Sequence, residues 1–97
     1  MEKRILMPMV NVSHNKDDTG LRIEVDLAGA RKETVDLEMG PYGFCVSAEG
    51  EDFRYESCYS MVHQVNAKKA KAKFESGLLK ILVPFTESMR GHKVRVA

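Results

Sequence analysis

Apolar and polar residues alternate in short runs along this chain, and no run sustains the spacing of a helix face. The cleanest run is LRIEVDL, 21–27, with Leu21, Ile23, Val25 and Leu27 on one face of an extended strand and Arg22, Glu24 and Asp26 on the other. MVNVS, 9–13, also alternates, and NKDDTG, 15–20, supplies the turn residues that would fold it back antiparallel on 21–27. TVDLEM, 34–39, points Val35, Leu37 and Met39 inward, GPYG turns the chain at 40–43, and FCVSAE, 44–49, points Phe44, Val46 and Ala48 inward. The next strand runs from Phe53 to about Met61. With Glu51 and Asp52 at the hairpin tip, Phe44 faces Tyr59, Cys45 faces Cys58, Val46 faces Ser57, Ala48 faces Tyr55 and Glu49 faces Arg54. AKAKFE, 70–75, sets Ala70, Ala72 and Phe74 opposite Lys71, Lys73 and Glu75. GLLKILVPF, 77–85, is apolar on both faces apart from Lys80, which predicts a central strand covered on both sides. Pro84 lacks an amide hydrogen and is expected to end that ladder.

Seven or eight short strands separated by turn signals predict an all-β fold, an antiparallel immunoglobulin-like β-sandwich. The expected organisation is an N-terminal lead at 1–8, the sandwich domain at 9–85 and a C-terminal tail at 86–97. A chain of 97 residues fits one domain with a thin core, which contacts between copies would help to stabilise.

Charge narrows the function classes. Lys plus Arg number 15 against 14 Asp plus Glu, a balance that argues against a general nucleic-acid or membrane-surface binder. The lysines at 68, 69, 71 and 73 read as the solvated face of a strand. No apolar run approaches the ~18 residues that span a bilayer, and the start lacks a cleavage site, so the expected compartment is the cytoplasm. Cys45 and Cys58 are then expected as reduced thiols, with a redox-sensing disulfide as the alternative that the same register allows. His14, His63 and His92 are scattered and show no metal-ligand spacing, so no metal is expected. There is no Gly-rich phosphate loop and no distinguishable catalytic set, so the chain reads as a non-enzyme without a cofactor.

Four segments resemble the small heat-shock proteins of the α-crystallin type. DLAG at 26–29 is similar to their Asp-Leu-Pro-Gly, and FCVSAE at 44–49 to their Leu-x-Ile-x-Ala-Glu strand. KAKAKFESGLLKILVP at 69–84 is similar to their Gly-x-Leu-x-Ile-x-x-Pro signature with its lysine-rich lead, and VRV at 94–96 to their terminal Ile-x-Ile/Val anchor. The chain departs from the family in two places. Only Gly50, Glu51 and Asp52 separate Glu49 from Phe53, which leaves no room for the strand that most members swap into a dimer partner. Ser57 and Val62 stand where the family carries an arginine and a proline. Shorter-looped relatives, the CS-domain co-chaperones, make the same sandwich without that strand.

The resemblance implies an ATP-independent holding chaperone that binds exposed apolar segments of unfolding proteins, with a CS-like co-chaperone or adaptor for one folded partner as the alternative. It implies a partner or client groove lined by Val35, Leu37, Met39, Ala70, Ala72 and Phe74. It also implies a C-terminal anchor, Val94 and Val96, through which copies associate, with Lys93 and Arg95 turned to solvent. The methionines at 1, 7, 9, 39, 61 and 89 are adaptable apolar groups, and those near Ile5 and Leu6 form a second candidate client surface.

Overall fold

The computed structural model describes residues 3–86 and 94–97. Eight strands run in chain order: β1 (Arg4–Leu6), β2 (Met9–His14), β3 (Gly20–Asp26), β4 (Asp36–Gly40), β5 (Gly43–Glu49), β6 (Phe53–Ser60), β7 (Lys71–Glu75) and β8 (Leu78–Pro84). They form two four-stranded sheets, ordered β1-β6-β5-β4 and β2-β3-β8-β7. Every pairing is antiparallel except β1 with β6. Among the described residues the only helical segments are two 3₁₀ turns, Lys32–Thr34 and Ala67–Lys69.

Local chemistry sets the turns. Between β2 and β3, the Asn15 side-chain oxygen accepts from the Thr19 amide, and the Asp18 amide donates to the Asn15 carbonyl. Ser76 and Gly77 link β7 to β8 with φ of 49° and 79°. Two successive left-handed residues make the tight turn whose twist matches an antiparallel hairpin, and glycine takes that conformation without steric cost. The tip between β5 and β6 is closed by the Gly50 amide donating to the Phe53 carbonyl. A side chain at Gly50 would lie 2.2 Å from the Phe53 ring, so that ring would have to shift to admit one.

The core lies between the sheets. Ile23, Val25 and Leu27 are fully buried against Ile81, Val83 and Leu79 within one sheet and against Phe44, Val46 and Ala48 of the other. The inward faces expected of 21–27 and 44–49 are therefore the observed ones. The β5–β6 register also agrees pair for pair, from Phe44 opposite Tyr59 to Glu49 opposite Arg54. The Phe44 and Tyr59 rings stack at 5.2 Å between centroids.

Several expectations are corrected. β8 is central in its sheet but covered on one face only: Leu79, Ile81 and Val83 are buried, whereas Leu82 is 52% exposed and Lys80 faces out. The end of β8 is as expected: Pro84 is its last residue and pairs with Gly20, and beyond it the Phe85 amide donates to the Thr19 carbonyl. Residues 1–8, expected as a lead, contribute β1. Its Arg4, Ile5 and Leu6 run alongside Phe53, Arg54 and Tyr55, and the Tyr59 hydroxyl donates to the Pro8 carbonyl. The stretch 34–39 starts its strand only at Asp36, because the Thr34 hydroxyl donates to the Arg31 carbonyl and closes the 3₁₀ turn. Cys45 and Cys58, expected as reduced thiols, are joined in a disulfide. The cross-strand register that places them opposite each other makes this possible.

Candidate functional site

β1 and β2 are joined through Met7 and Pro8, so they share one side of the sandwich. β4 and β7 end their sheets on the other side. Among the described residues neither β4 nor β7 has a second strand beside it, so each presents a row of unpaired N–H and C=O groups. The seam between these two edges is the candidate site.

Strand alternation decides what lines it. Val35, just before β4, and Leu37 and Met39 on β4 turn toward the interior, as does Phe74 on β7; all are half-buried and pack on the core. Ala70 lies just before β7 and is also half-buried. Ala72 shares the inward parity of Phe74, opposite Ile81, but is exposed. Its methyl is too short to reach across the gap between sheets, roughly 10 Å. Of the six groove residues named from the sequence, five are half-buried on or beside β4 and β7, and Ala72 is exposed.

The rims carry opposite charges. Asp36 and Glu38 point outward from β4 and are exposed. Lys71, Lys73 and Glu75 do the same on β7. The Lys73 ammonium lies 2.8 Å from the Glu75 carboxylate. That hydrogen bond, and the charge attraction behind it, raise the Lys73 pKa and lower that of Glu75. From the sequence these lysines read only as a solvated face. The signal for two rims was present in the alternation of 34–39 and 70–75, but the topology had to bring the runs together.

Val94 and Val96 are 82% and 90% exposed, so nothing among the described residues covers them. Met1, Met89, His92 and Lys93 lie outside the described residues. On the opposite side, Ile5, Met7 and Met9 are strongly exposed. Met9 and Leu78 border a hollow of about 220 Å³ on the outer face of the second sheet. His14 and His63, scattered in sequence, meet with ring centroids 5.2 Å apart beside Phe85. Among the described residues no three His, Cys, Asp or Glu side chains group to hold a metal ion. No described helix is long and apolar enough to cross a membrane.

No protein-family model matches the sequence, and no curated protein matches it. Solved structures do. The chain is similar to heat shock protein 16.0 from Schizosaccharomyces pombe, with a TM-score of 0.72 and 18% identity over 95% of this chain and 76% of that one. HSP18.5 from E. histolytica aligns with a TM-score of 0.73 and 13% identity over 94% of this chain and 99% of that one. A small heat-shock protein from Xylella fastidiosa, described as having a distinct high-order structure, aligns with a TM-score of 0.67 and 13% identity over 93% and 95% of the two chains. The two packed sheets of this chain are the α-crystallin-type β-sandwich of the small heat-shock proteins.

Proposed function

We propose that this protein is an ATP-independent holding chaperone that takes extended apolar segments of unfolding proteins into the β4–β7 seam. The supporting observation is the seam itself: two unpaired strand edges flank a half-buried apolar lining. An extended segment laid there satisfies backbone groups along an edge and removes apolar side chains from water at about 25 cal/mol per Å². This needs neither covalent chemistry nor a cofactor. Self-association is part of the proposal, with Val94 and Val96 of one copy occupying the seam of another as two apolar knobs. The compartment we take is the cytoplasm, where the Cys45–Cys58 bond is open to reduction.

A second function, a co-chaperone or adaptor for one folded partner, is favoured by a different observation. The β5–β6 connection is a tight hairpin, so no strand is available there to swap into a dimer partner. The edge of β6 is instead partly covered by the chain's own β1. Heat-induced aggregation of an unrelated enzyme, with particle mass from light scattering, separates the two. A multi-subunit particle that suppresses aggregation supports the holding chaperone. A monomer that leaves aggregation unchanged overturns it in favour of the adaptor.

A further inference from the structure

The outer face of the first sheet carries chemistry that the seam does not use. We propose that the Cys45–Cys58 bond is a thiol–disulfide exchange site that selects its reaction partner by charge. It takes aminothiols, and cysteine segments flanked by lysine or arginine, in preference to anionic thiols. The site needs neither the seam nor a client.

The strand register lays the site out in three rows. Glu38, Cys45 and Cys58 stand side by side across β4, β5 and β6, all exposed on the outer face. The Cα atoms of the two cysteines are 4.0 Å apart, the close spacing of a non-hydrogen-bonded pair, where cross-strand side chains lie nearest. On one side of them runs the row Gly40, Gly43 and Ser60. Two glycines and a serine leave a furrow of about 410 Å³ that opens onto both cysteines. On the other side runs the row Asp36, Ser47 and Glu56, with a hollow of about 190 Å³ that reaches the same two cysteines. The bond is reachable from both sides.

What reaches it is sorted by charge. The charged residues lining the two hollows are Asp36, Glu38 and Glu56 against one cation, Arg54, whose Nε lies 3.4 Å from the Glu56 carboxylate. The nucleophile in exchange is a thiolate, so this acidic surround repels it unless a positive group travels with the sulfur. A nucleophile displaces sulfur from the side opposite the breaking bond. For Cys45 that path crosses Glu38, its register partner. For Cys58 it crosses the outer flank of β6, where the β1 ladder stops at Tyr55. The incoming thiolate therefore bonds to Cys58 Sγ. The Cys45–Cys58 bond breaks, its electron pair leaves on Cys45 Sγ, and that sulfur takes a proton from water. A second thiolate attacks the first thiol's sulfur in the mixed disulfide and frees Cys58, which is protonated in turn. Two thiol sulfurs are oxidised to their own disulfide and two cysteine sulfurs are reduced.

The test is the rate at which cysteamine and mercaptopropionate reduce the oxidised protein, each divided by the same thiolate's rate on hydroxyethyl disulfide to remove its intrinsic reactivity. Thiols captured with N-ethylmaleimide are counted and located by mass spectrometry. At low ionic strength cysteamine should be favoured about fivefold to tenfold, falling to about twofold at ~0.5 M salt as screening closes over exposed charges. Asp36→Asn/Glu38→Gln, at two exposed positions, should bring the low-salt preference to about twofold. Lys71→Glu/Lys73→Glu, on the other sheet, should leave it unchanged. The mixed disulfide trapped early should sit on Cys58, with Cys45 alkylated. No preference, or one that salt and the Asp36/Glu38 variant leave in place, overturns the charge selection. An adduct on Cys45 overturns the direction of attack. A bond that resists both thiols until urea unfolds the protein, or two free thiols after air oxidation, overturns the exchange site itself.

Discussion

β3 and β8, side by side in the middle of one sheet, turn every second residue inward as an apolar side chain just as β4 and β7 do at the far edges, yet the two pairs are buried differently. Ile23, Val25 and Ile81 are fully enclosed, whereas Leu37 and Phe74 are half-covered. Alternation says which face turns inward. Neighbours on both flanks decide whether that face is sealed. The central pair is sealed, and the outer pair leaves apolar surface and backbone groups only half-covered.

The sharpest way to break this contrast is to empty the centre. Ile81→Ala should cost about 2–5 kcal/mol by denaturant unfolding, because it leaves a void among fully buried neighbours. Aggregation suppression per folded molecule should stay unchanged; a cost below about 1 kcal/mol would put Ile81 outside the core. Next is the bond between β5 and β6. It spans 13 residues of sequence, so reduction, or Cys45→Ser/Cys58→Ser, should lower stability by about 2–3 kcal/mol in the same assay. Smaller in stability but larger in function is Leu37→Ser on the edge. It should cost about 1 kcal/mol or slightly more, since the side chain is only half-buried, while reducing aggregation suppression severalfold. Equal suppression would remove the seam from the mechanism.

The smallest effect is expected from Glu75→Gln. Lys73 holds the Glu75 carboxyl below its ordinary value of 4.5, so the pair stabilises the folded chain above that pH, and the benefit fades as the pH falls through the lowered value. Both groups are exposed, so salt screens the interaction and the thermal midpoint should barely move. A large shift at neutral pH would show that the β7 rim is more enclosed than its exposure indicates.

Local features were legible in the residues themselves. The Gly50–Phe53 turn sets the β5–β6 register, so one hairpin determines every pair from Phe44 with Tyr59 onward. The pairing of β3 with β8 was not legible, because it joins segments far apart in sequence and no local pattern encodes which strands become neighbours. β1 escaped notice because three residues with a charged start carry no period, and its parallel contact with β6 is purely tertiary. The outer face of β8 was misread because Leu78 and Leu82 look like core residues in sequence although Leu82 is half exposed. The groove residues were legible as inward positions on two strands. That β4 and β7 are the edge strands of their sheets, one carrying acids and the other lysines outward, needed the strand order.

The register of the second sheet also has a kinetic consequence. Ile23 cannot find Ile81 until nearly the whole intervening chain is available, whereas the β5–β6 turn can close on its own neighbours at once. Assembly should begin at local hairpins such as Phe44–Tyr59 and finish slowly with the β7–β8 hairpin docking on β3, as expected when remote contacts dominate. Until that last step, the aliphatic faces of β3 and β8 are bare, so the chain passes through a sticky intermediate of its own.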